Sequence, residues 1–141
     1  MTTPFVCEFR ARWADMDFNQ HMRNAAFLGC AEETRMRYLD ANGWSMEQFM
    51  KARLGPVVLE DHLVYKKELR LLESFRVELS VGAATDDRRR MRLRNRFFKT
   101  DGALCASVES IVLWFDLDAR RPTVPPPLLK QVIDAMHFDD D

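Results

Sequence analysis

The sequence has few cysteines and no excess of charge of either sign. Its three cysteines, Cys7, Cys30 and Cys105, are odd in number and far apart. This pattern predicts buried free thiols in a reducing compartment, not a disulfide framework. The 21 basic and 22 acidic residues leave a net charge of −1, which argues against bulk electrostatic binding to nucleic acid or a membrane. We therefore expect a cytoplasmic protein without nucleic-acid or membrane partners.

Long apolar runs are also missing. No segment approaches the ~20 apolar residues that a membrane-spanning helix needs, and the first residues lack the basic-then-apolar pattern of a secretion signal. Apolar residues still make up 47% of the 141, with ten Phe and three Trp, which is enough for a packed core. The sequence predicts one domain over residues 1–138 and a frayed acidic tail over residues 139–141.

The hydrophobic periodicity changes at the long helix and again near residue 57. Residues 5–13 alternate as a strand does, and residues 24–41 follow a helical pattern that Asn42 and Gly43 end. From residue 57 the period is two and stays so. The predicted elements after the long helix are a short helix over 45–51 capped by Ser45, strands over 57–69, 75–81, 88–97 and 103–115, and a closing helix over 128–136.

This order predicts an α+β fold. A long helix followed by an uninterrupted antiparallel meander buries its apolar surface most simply when the sheet wraps around the helix. The acids and bases late in the helix, among them Glu32, Glu33, Arg35 and Arg37, suggest that part of its surface faces solvent.

The polar residues with chemical potential are concentrated between the first strand and the long helix. Asp15, Asp17, Asn19, His21 and Asn24 occupy ten residues. A carboxylate, an amide and an imidazole at i, i+2 and i+4 converge if the backbone is an irregular loop. At a helix start they also lie beside unpaired N–H groups that attract developing negative charge. This composition suits acyl transfer or hydrolysis.

Two motifs in this segment resemble known thioesterases. The pattern Arg12-Trp13-x-Asp15-x-Asp17-x-x-x-His21-x-x-Asn24-x-x-Phe27-Leu28, followed by Glu33-x-Arg35, resembles the hot-dog fold thioesterases of the 4-hydroxybenzoyl-CoA thioesterase type. The segment Asp17-x-Asn19-x-His21 is also similar to the Asp-x-Asn-x-His element of plant acyl-carrier-protein thioesterases. The strand–helix–meander order extends the resemblance along the whole chain.

The resemblance implies a single hot-dog domain and hydrolysis of an acyl-CoA or acyl-carrier-protein thioester without a cofactor. It implies homodimers, which pair further into tetramers in some relatives, with two active sites at the subunit interface. It places the catalytic carboxylate on Asp17, as nucleophile or general base, and the oxyanion-binding N–H near Asn24. Asn19 and His21 follow from the second motif. A non-catalytic hot-dog domain that binds acyl thioesters or serves in assembly is the alternative.

Four further residues are candidate substrate contacts. Glu60 and His62 lie on the strand that relatives contribute to the partner's site. Arg88 and Arg90 begin a stripe of alternating arginines, which suits the phosphates of coenzyme A or an acidic carrier protein. The alternative is a solvated sheet face whose arginines pair with acids such as Glu78 and Glu109.

Several polar residues have simpler interpretations. Asp15 is expected to brace the loop, Asn24 to cap the helix, and Cys30 to pack among apolar neighbours. Asp15, Asp17, His21 and Glu32 match no metal-ligand spacing, so no metal is expected.

Overall fold

The computed structural model describes residues 2–139, which form one α+β domain. Within these residues a single sheet is accompanied by three helices. The strands are β1 (Phe5–Arg10), β2 (Leu54–Tyr65), β3 (Ser74–Ala84), β4 (Arg90–Lys99), β5 (Leu104–Asp116) and β6 (Arg121–Pro122), and the helices are α1 (Asn24–Ala41), α2 (Met46–Ala52) and α3 (Pro127–Asp134).

The sheet is antiparallel, with the strand order β1-β3-β4-β5-β2. The short β6 pairs with the end of β5. β3, β4 and β5 are consecutive neighbours, whereas β2 lies on the far side of β5 and forms one edge. Helix α1 packs against β1, β3 and β5 within the curled sheet. The predicted fold, an antiparallel sheet wrapped around a long helix, is confirmed.

Helix α1 has the predicted bounds. Phe27 and Ala31 are buried on its inner side, at 3% and 0% exposure, and this spacing of four residues keeps them on one face. The helix ends at Asn42, and Gly43 follows with φ +88. The short helix α2 is capped as predicted, since the Ser45 hydroxyl accepts a hydrogen bond from the Gln48 N–H at 3.3 Å.

The predicted strand ends were wrong by up to four residues, among them those of β1 and β2. β1 stops at Arg10 because the chain turns into a single 3₁₀ turn over Trp13–Asp15. β2 runs from Leu54 to Tyr65 instead of residues 57–69, since its extent is set by pairing with β5. The proline at position 56 lies within this edge strand, where a missing N–H is tolerated.

The core consists of two apolar clusters, one toward each end of the sheet. One contains Phe49 stacked on Trp114, with ring centroids 5.9 Å apart. The other contains Phe27 and Phe75, both packed against the fully buried Phe97. Each fully buried phenylalanine stabilises the fold by about 1.5–3 kcal/mol. The second cluster supports the loop that leads into α1.

Two expectations about charged residues do not hold. Arg35 is buried, at 7% exposure, instead of facing solvent. Asp139, placed in a frayed tail, donates its backbone N–H to the Val81 carbonyl and forms ion pairs with Arg94 and Arg96 at 3.3 and 2.7 Å. The remainder of that tail, residues 140–141, lies outside the described residues.

Candidate functional site

The loop before α1 is braced by Asp15. Its carboxylate accepts hydrogen bonds from the Arg12 backbone N–H at 2.9 Å and from the Arg12 guanidinium at 2.9 and 3.1 Å. These bonds hold the pKa of Asp15 below its usual value. The Asp15 carbonyl also accepts the Arg23 N–H at 2.8 Å. The prediction that Asp15 has a structural role is confirmed.

Asp17 lies in a tight loop that its own side chain closes. Its Oδ1 accepts the backbone N–H groups of Asn19 at 2.8 Å and His21 at 3.1 Å. The Asp17 N–H donates to the His21 carbonyl at 2.8 Å, and Gln20 takes a left-handed conformation with φ 65. No protein donor within residues 2–139 bonds Oδ2, so one oxygen of this carboxylate is available to a ligand.

Asn19 contributes to this loop through its backbone. Its side chain is exposed and forms no hydrogen bond with the rest of the described chain. It also lies outside the cavity that contains Asp17 and His21. The contribution of the Asn19 carboxamide to the site stays a prediction.

Asn24 is the first residue of α1, and the expectation that it caps the helix is wrong. Arg23 occupies the cap position, with the extended angles φ −76 and ψ 159. The Asn24 side chain instead accepts the Ala25 N–H at 2.8 Å. Its own backbone N–H has no acceptor among residues 2–139, as is usual in the first turn of a helix.

Asp17, His21 and Asn24 line one open cavity of about 550 Å³. Its apolar wall includes Phe27 and Tyr65, whose rings meet edge to face with centroids 5.4 Å apart. The remaining lining residues are Met22, Arg23, Lys66, Lys67 and Glu68. The residues that carry a carboxylate, an imidazole and the first N–H of α1 therefore line one cavity beside an apolar surface.

Glu68 lines the same cavity, although no feature of the sequence selects it. Its Oε2 lies 3.1 Å from Nε2 of His21, and its Oε1 accepts a hydrogen bond from Arg70 at 2.9 Å. The two members of the pair are 47 positions apart, and Glu68 belongs to no recognisable motif. Only the folded structure brings it to the cavity.

Glu60 and His62 lie on the predicted edge strand, β2, but not in this cavity. Side chains alternate along a strand, so residues 60 and 62 lie on the face opposite to Tyr65, which contacts α1 through Phe27. Within a single chain, Glu60 and His62 therefore do not line the cavity that contains Asp17. Asp61, between them, faces the helix and accepts the Ser110 hydroxyl at 2.5 Å.

Arg88 and Arg90 lie at the other end of the sheet. Arg90 begins β4, whereas the cavity is near Phe97, and seven strand residues span about 23 Å. Arg88 is held by Asp134 at 2.7 Å and by the ring of Phe138. Arg90 is exposed and forms no ion pair within residues 2–139.

The arginine stripe is paired only in part as predicted. Arg94 pairs with Glu109 at 2.8 Å, as expected. Arg96 pairs with Asp139 instead of Glu78, which takes part in no ion pair in the described chain. The C-terminal segment, which sequence reasoning treated as frayed, supplies this partner.

Residues 2–139 give little support for a metal centre or a reactive cysteine. These residues contain no group of three or more His, Cys, Asp or Glu side chains able to hold a metal ion. Burial raises the pKa of Cys30 to about 12 and that of Cys105 to about 11, so neither is an activated thiolate. None of the described helices is long and apolar enough to cross a membrane.

Comparisons with known proteins identify the family. The profile of the thioesterase-like superfamily matches residues 11–133, whereas no curated protein matches the sequence. Among solved structures, a Staphylococcus aureus protein determined in complex with CoA is 23% identical, with a TM-score of 0.86 over 94% of this chain and 82% of that chain.

Several similar structures carry the name of a CoA thioesterase. A 1,4-dihydroxy-2-naphthoyl-CoA thioesterase from Synechocystis is 15% identical, with a TM-score of 0.84 over 94% of this chain and 96% of that chain. A DHNA-CoA thioesterase from Staphylococcus aureus is 20% identical, with a TM-score of 0.82 over 92% and 87% of the two chains. At these identities the likeness concerns the fold. The family match and the strand order together show that this chain belongs to the thioesterase-like superfamily and has the hot-dog fold.

Proposed function

We propose that this protein hydrolyses the thioester of an acyl-CoA, or of an acyl carrier protein, without a metal or redox cofactor. The observation that carries the proposal is the shared cavity of Asp17 and Asn24. Both residues line it, and within residues 2–139 Oδ2 of Asp17 accepts no hydrogen bond and the Asn24 N–H has no acceptor. Thioester hydrolysis requires both a base or nucleophile and an oxyanion donor.

The proposed reaction uses the Asp17 carboxylate and the Asn24 N–H. Oδ2 of Asp17 either attacks the thioester carbon directly or takes a proton from a water molecule that attacks it. The carbonyl oxygen becomes negative and is stabilised by the Asn24 N–H and the positive end of α1. Collapse of the tetrahedral intermediate breaks the C–S bond, and the thiolate leaves and takes up a proton. A direct attack adds a second step, in which water cleaves the acyl–Asp17 anhydride.

A second copy of the chain is proposed to complete the site. Within residues 2–139, β2 pairs only with β5, and its exposed Val58, Leu59 and Tyr65 would be covered by a partner. Antiparallel pairing of two β2 strands brings the Tyr65 end of one protomer to the Leu54 end of the other. That end of the sheet carries Arg90, so Arg90 of the partner subunit would reach this cavity as a phosphate contact.

Arg88 and Asn19 have smaller roles in the proposal. Arg88 is engaged by Asp134 and would only support Arg90. Asn19 would orient the attacking water at the rim of the loop. Glu60 and His62 are proposed to contact substrate or carrier only in the assembled dimer, since they face away from the cavity of their own protomer.

Binding without turnover is the alternative function. The two backbone hydrogen bonds to Oδ1 of Asp17 are also typical of a loop carboxylate with a purely structural role. In that case the cavity would hold an acyl thioester, and the domain would serve in binding or assembly.

Thiol release from short, medium, long and aromatic acyl-CoAs tests the proposal. Asp17→Asn should lower kcat by about 10²–10⁴-fold, the usual loss for a general base. Asp101→Asn is the matched control, because Asp101 also braces a turn, by accepting the Ala103 N–H at 2.9 Å, but lies outside the cavity. A rate for Asp17→Asn within about threefold of wild type, far short of that loss, would refute the assignment. Tight binding without thiol release would favour the binding module.

Single-turnover hydrolysis in ¹⁸O-labelled water separates the two roles of Asp17. With excess enzyme, direct attack places the label in the Asp17 carboxylate when water opens the acyl–Asp17 anhydride at the Asp17 carbonyl. Digestion with mass spectrometry detects the label there, and its presence in Asp17 identifies direct attack. If Asp17 acts as general base, the label appears only in the released acid.

A further inference from the structure

We infer that Glu68 is a positioning residue that holds His21 in the tautomer with a proton on Nε2 and a bare Nδ1. The inference rests on the proposed function and adds a residue to its site. Its basis is the 3.1 Å separation between Oε2 of Glu68 and Nε2 of His21. A carboxylate accepts hydrogen bonds only, and a neutral imidazole carries one N–H.

Each oxygen of Glu68 has its own partner. Oε1 accepts the Arg70 guanidinium at 2.9 Å, which leaves Oε2 for the imidazole. A carboxylate held at both oxygens cannot rotate freely, so its lone pairs stay aimed at the ring. This arrangement is the usual way in which a second group sets the orientation and tautomer of a histidine.

The backbone keeps the two residues together. The N–H of Met22, next to His21, donates to the Leu69 carbonyl, next to Glu68, at 2.8 Å. Leu69 is fully buried and anchors its segment in the core. The side-chain contact therefore rests on two neighbouring chain segments that are hydrogen-bonded and packed, and not on two flexible side chains alone.

The contact has little value for stability. The side chains of His21 and Glu68 are 38% and 43% exposed, and exposed ion pairs contribute little to folding. Both residues, however, line the cavity that contains Asp17 and Asn24. A pair that adds little to folding but orients a ring inside the candidate site is better explained by the chemistry of that site.

Within the described part of the chain, Nδ1 of His21 has no competing partner. Nδ1 of His21 makes no hydrogen bond with any residue in 2–139, while the His21 backbone N–H is bonded to Asp17. Nδ1 can therefore accept a proton from the water that cleaves an acyl–Asp17 intermediate, a step in which the acylated Asp17 cannot itself act as base. The proton then passes to bulk solvent, since the thiolate has already left in the first step.

The tautomer can be measured directly. Long-range ¹H–¹⁵N spectra of the neutral imidazole distinguish a protonated Nε2 from a protonated Nδ1, and His21→Gln identifies the His21 signals among three histidines. The wild-type protein should show the Nε2–H form. Glu68→Gln and Glu68→Ala should show a mixture of tautomers. An unchanged tautomer in both variants would overturn the inference, whether or not the protein hydrolyses thioesters.

A second test, independent of the tautomer measurement, compares the kinetics of the Glu68→Gln variant with those of the wild-type protein. With an acyl-CoA that the wild-type protein hydrolyses, Glu68→Gln should lower kcat by about tenfold or more, but by less than the about 10²–10⁴-fold lost with a general base itself. KM and the melting temperature should stay close to wild type. Glu47→Gln is the control, since Glu47 pairs with Lys51 on the exposed surface of α2. A kcat for Glu68→Gln equal to that of Glu47→Gln would overturn the inference. Absence of thiol release from the wild-type protein would instead count against the proposed function.

Discussion

The guanidinium of Arg35 donates a hydrogen bond to the hydroxyl of Ser110 at 2.8 Å, inside the core. Its Nε donates to Asn95 at 2.9 Å, and the Ser110 hydroxyl in turn donates to Asp61 on the edge strand. Burial lowers the pKa of Arg35, and the nearby carboxylates of Asp61 and Glu32 oppose this shift. The central helix is thus tied to the sheet by a polar chain as well as by apolar packing.

Arg35→Ala should destabilise the protein by about 2–5 kcal/mol. The substitution opens a cavity and leaves the buried Asn95 and Ser110 without their donor. Urea unfolding at several protein concentrations measures the change. Arg37→Ala is the control, since Arg37 lies half a turn further along α1 in an exposed pair with Glu33, and should cost about 1 kcal/mol or less. Equal losses of unfolding free energy in the two variants would show that the buried hydrogen bonds of Arg35 stabilise the protein no more than the exposed Arg37–Glu33 pair does.

Asn24→Pro should remove the oxyanion donor without harming the helix. Proline is favoured at the first helical position, and Arg23, with ψ 159, already has the extended conformation that a following proline requires. Loss of one oxyanion donor raises the barrier by about 2.7–4 kcal/mol, or about 10²–10³-fold in kcat.

Asn24→Ala is the comparison for this substitution. It removes the side chain that accepts the Ala25 N–H but keeps the backbone N–H of residue 24. Steady-state kinetics and melting temperatures of both variants are required. If Asn24→Pro melts like the wild type and turns over at the rate of Asn24→Ala, the N–H of residue 24 does not bind the oxyanion.

The thiols should react slowly with iodoacetamide at pH 8. Burial raises the pKa of Cys30 to about 12 and that of Cys105 to about 11. Only a small fraction of either is thiolate at pH 8, and the reaction should accelerate as the pH rises toward these values. Mass spectrometry of native and urea-unfolded protein follows the labelling. Rapid native labelling at Cys30 with loss of activity would contradict its assignment as a packing residue.

Leu59→Lys should weaken the proposed dimer. Leu59 is 48% exposed at the bulge of β2, where it has no partner on β5. Lysine on an edge strand discourages strand pairing, so the dissociation constant should rise by about tenfold or more, equivalent to about 1.4 kcal/mol. Leu128→Lys, which changes an equally exposed leucine on α3, is the control. Sedimentation velocity measures the assembly. Identical behaviour of both variants would place the interface elsewhere.

An element could be predicted well when the residues that define its ends are close together in sequence. The bounds of α1 were correct because the run of small apolar residues after the polar loop and the stop at Asn42-Gly43 are local signals. The ends of β2 were wrong because pairing with β5, about fifty residues away along the chain, determines where that strand begins and ends. The burial of Arg35 was missed because its partners Asn95 and Ser110 are distant in sequence.

The sequence by itself determined the order of the elements, the α+β class and the loop that carries Asp17, Asn19, His21 and Asn24, since periodicity and motif spacing are written locally along the chain. The tertiary structure alone decided which of these groups face one cavity. It turned Glu60 and His62 away from Asp17 and brought Glu68 to His21. Such juxtapositions depend on sheet register and on packing around α1, which are properties of the folded chain as a whole.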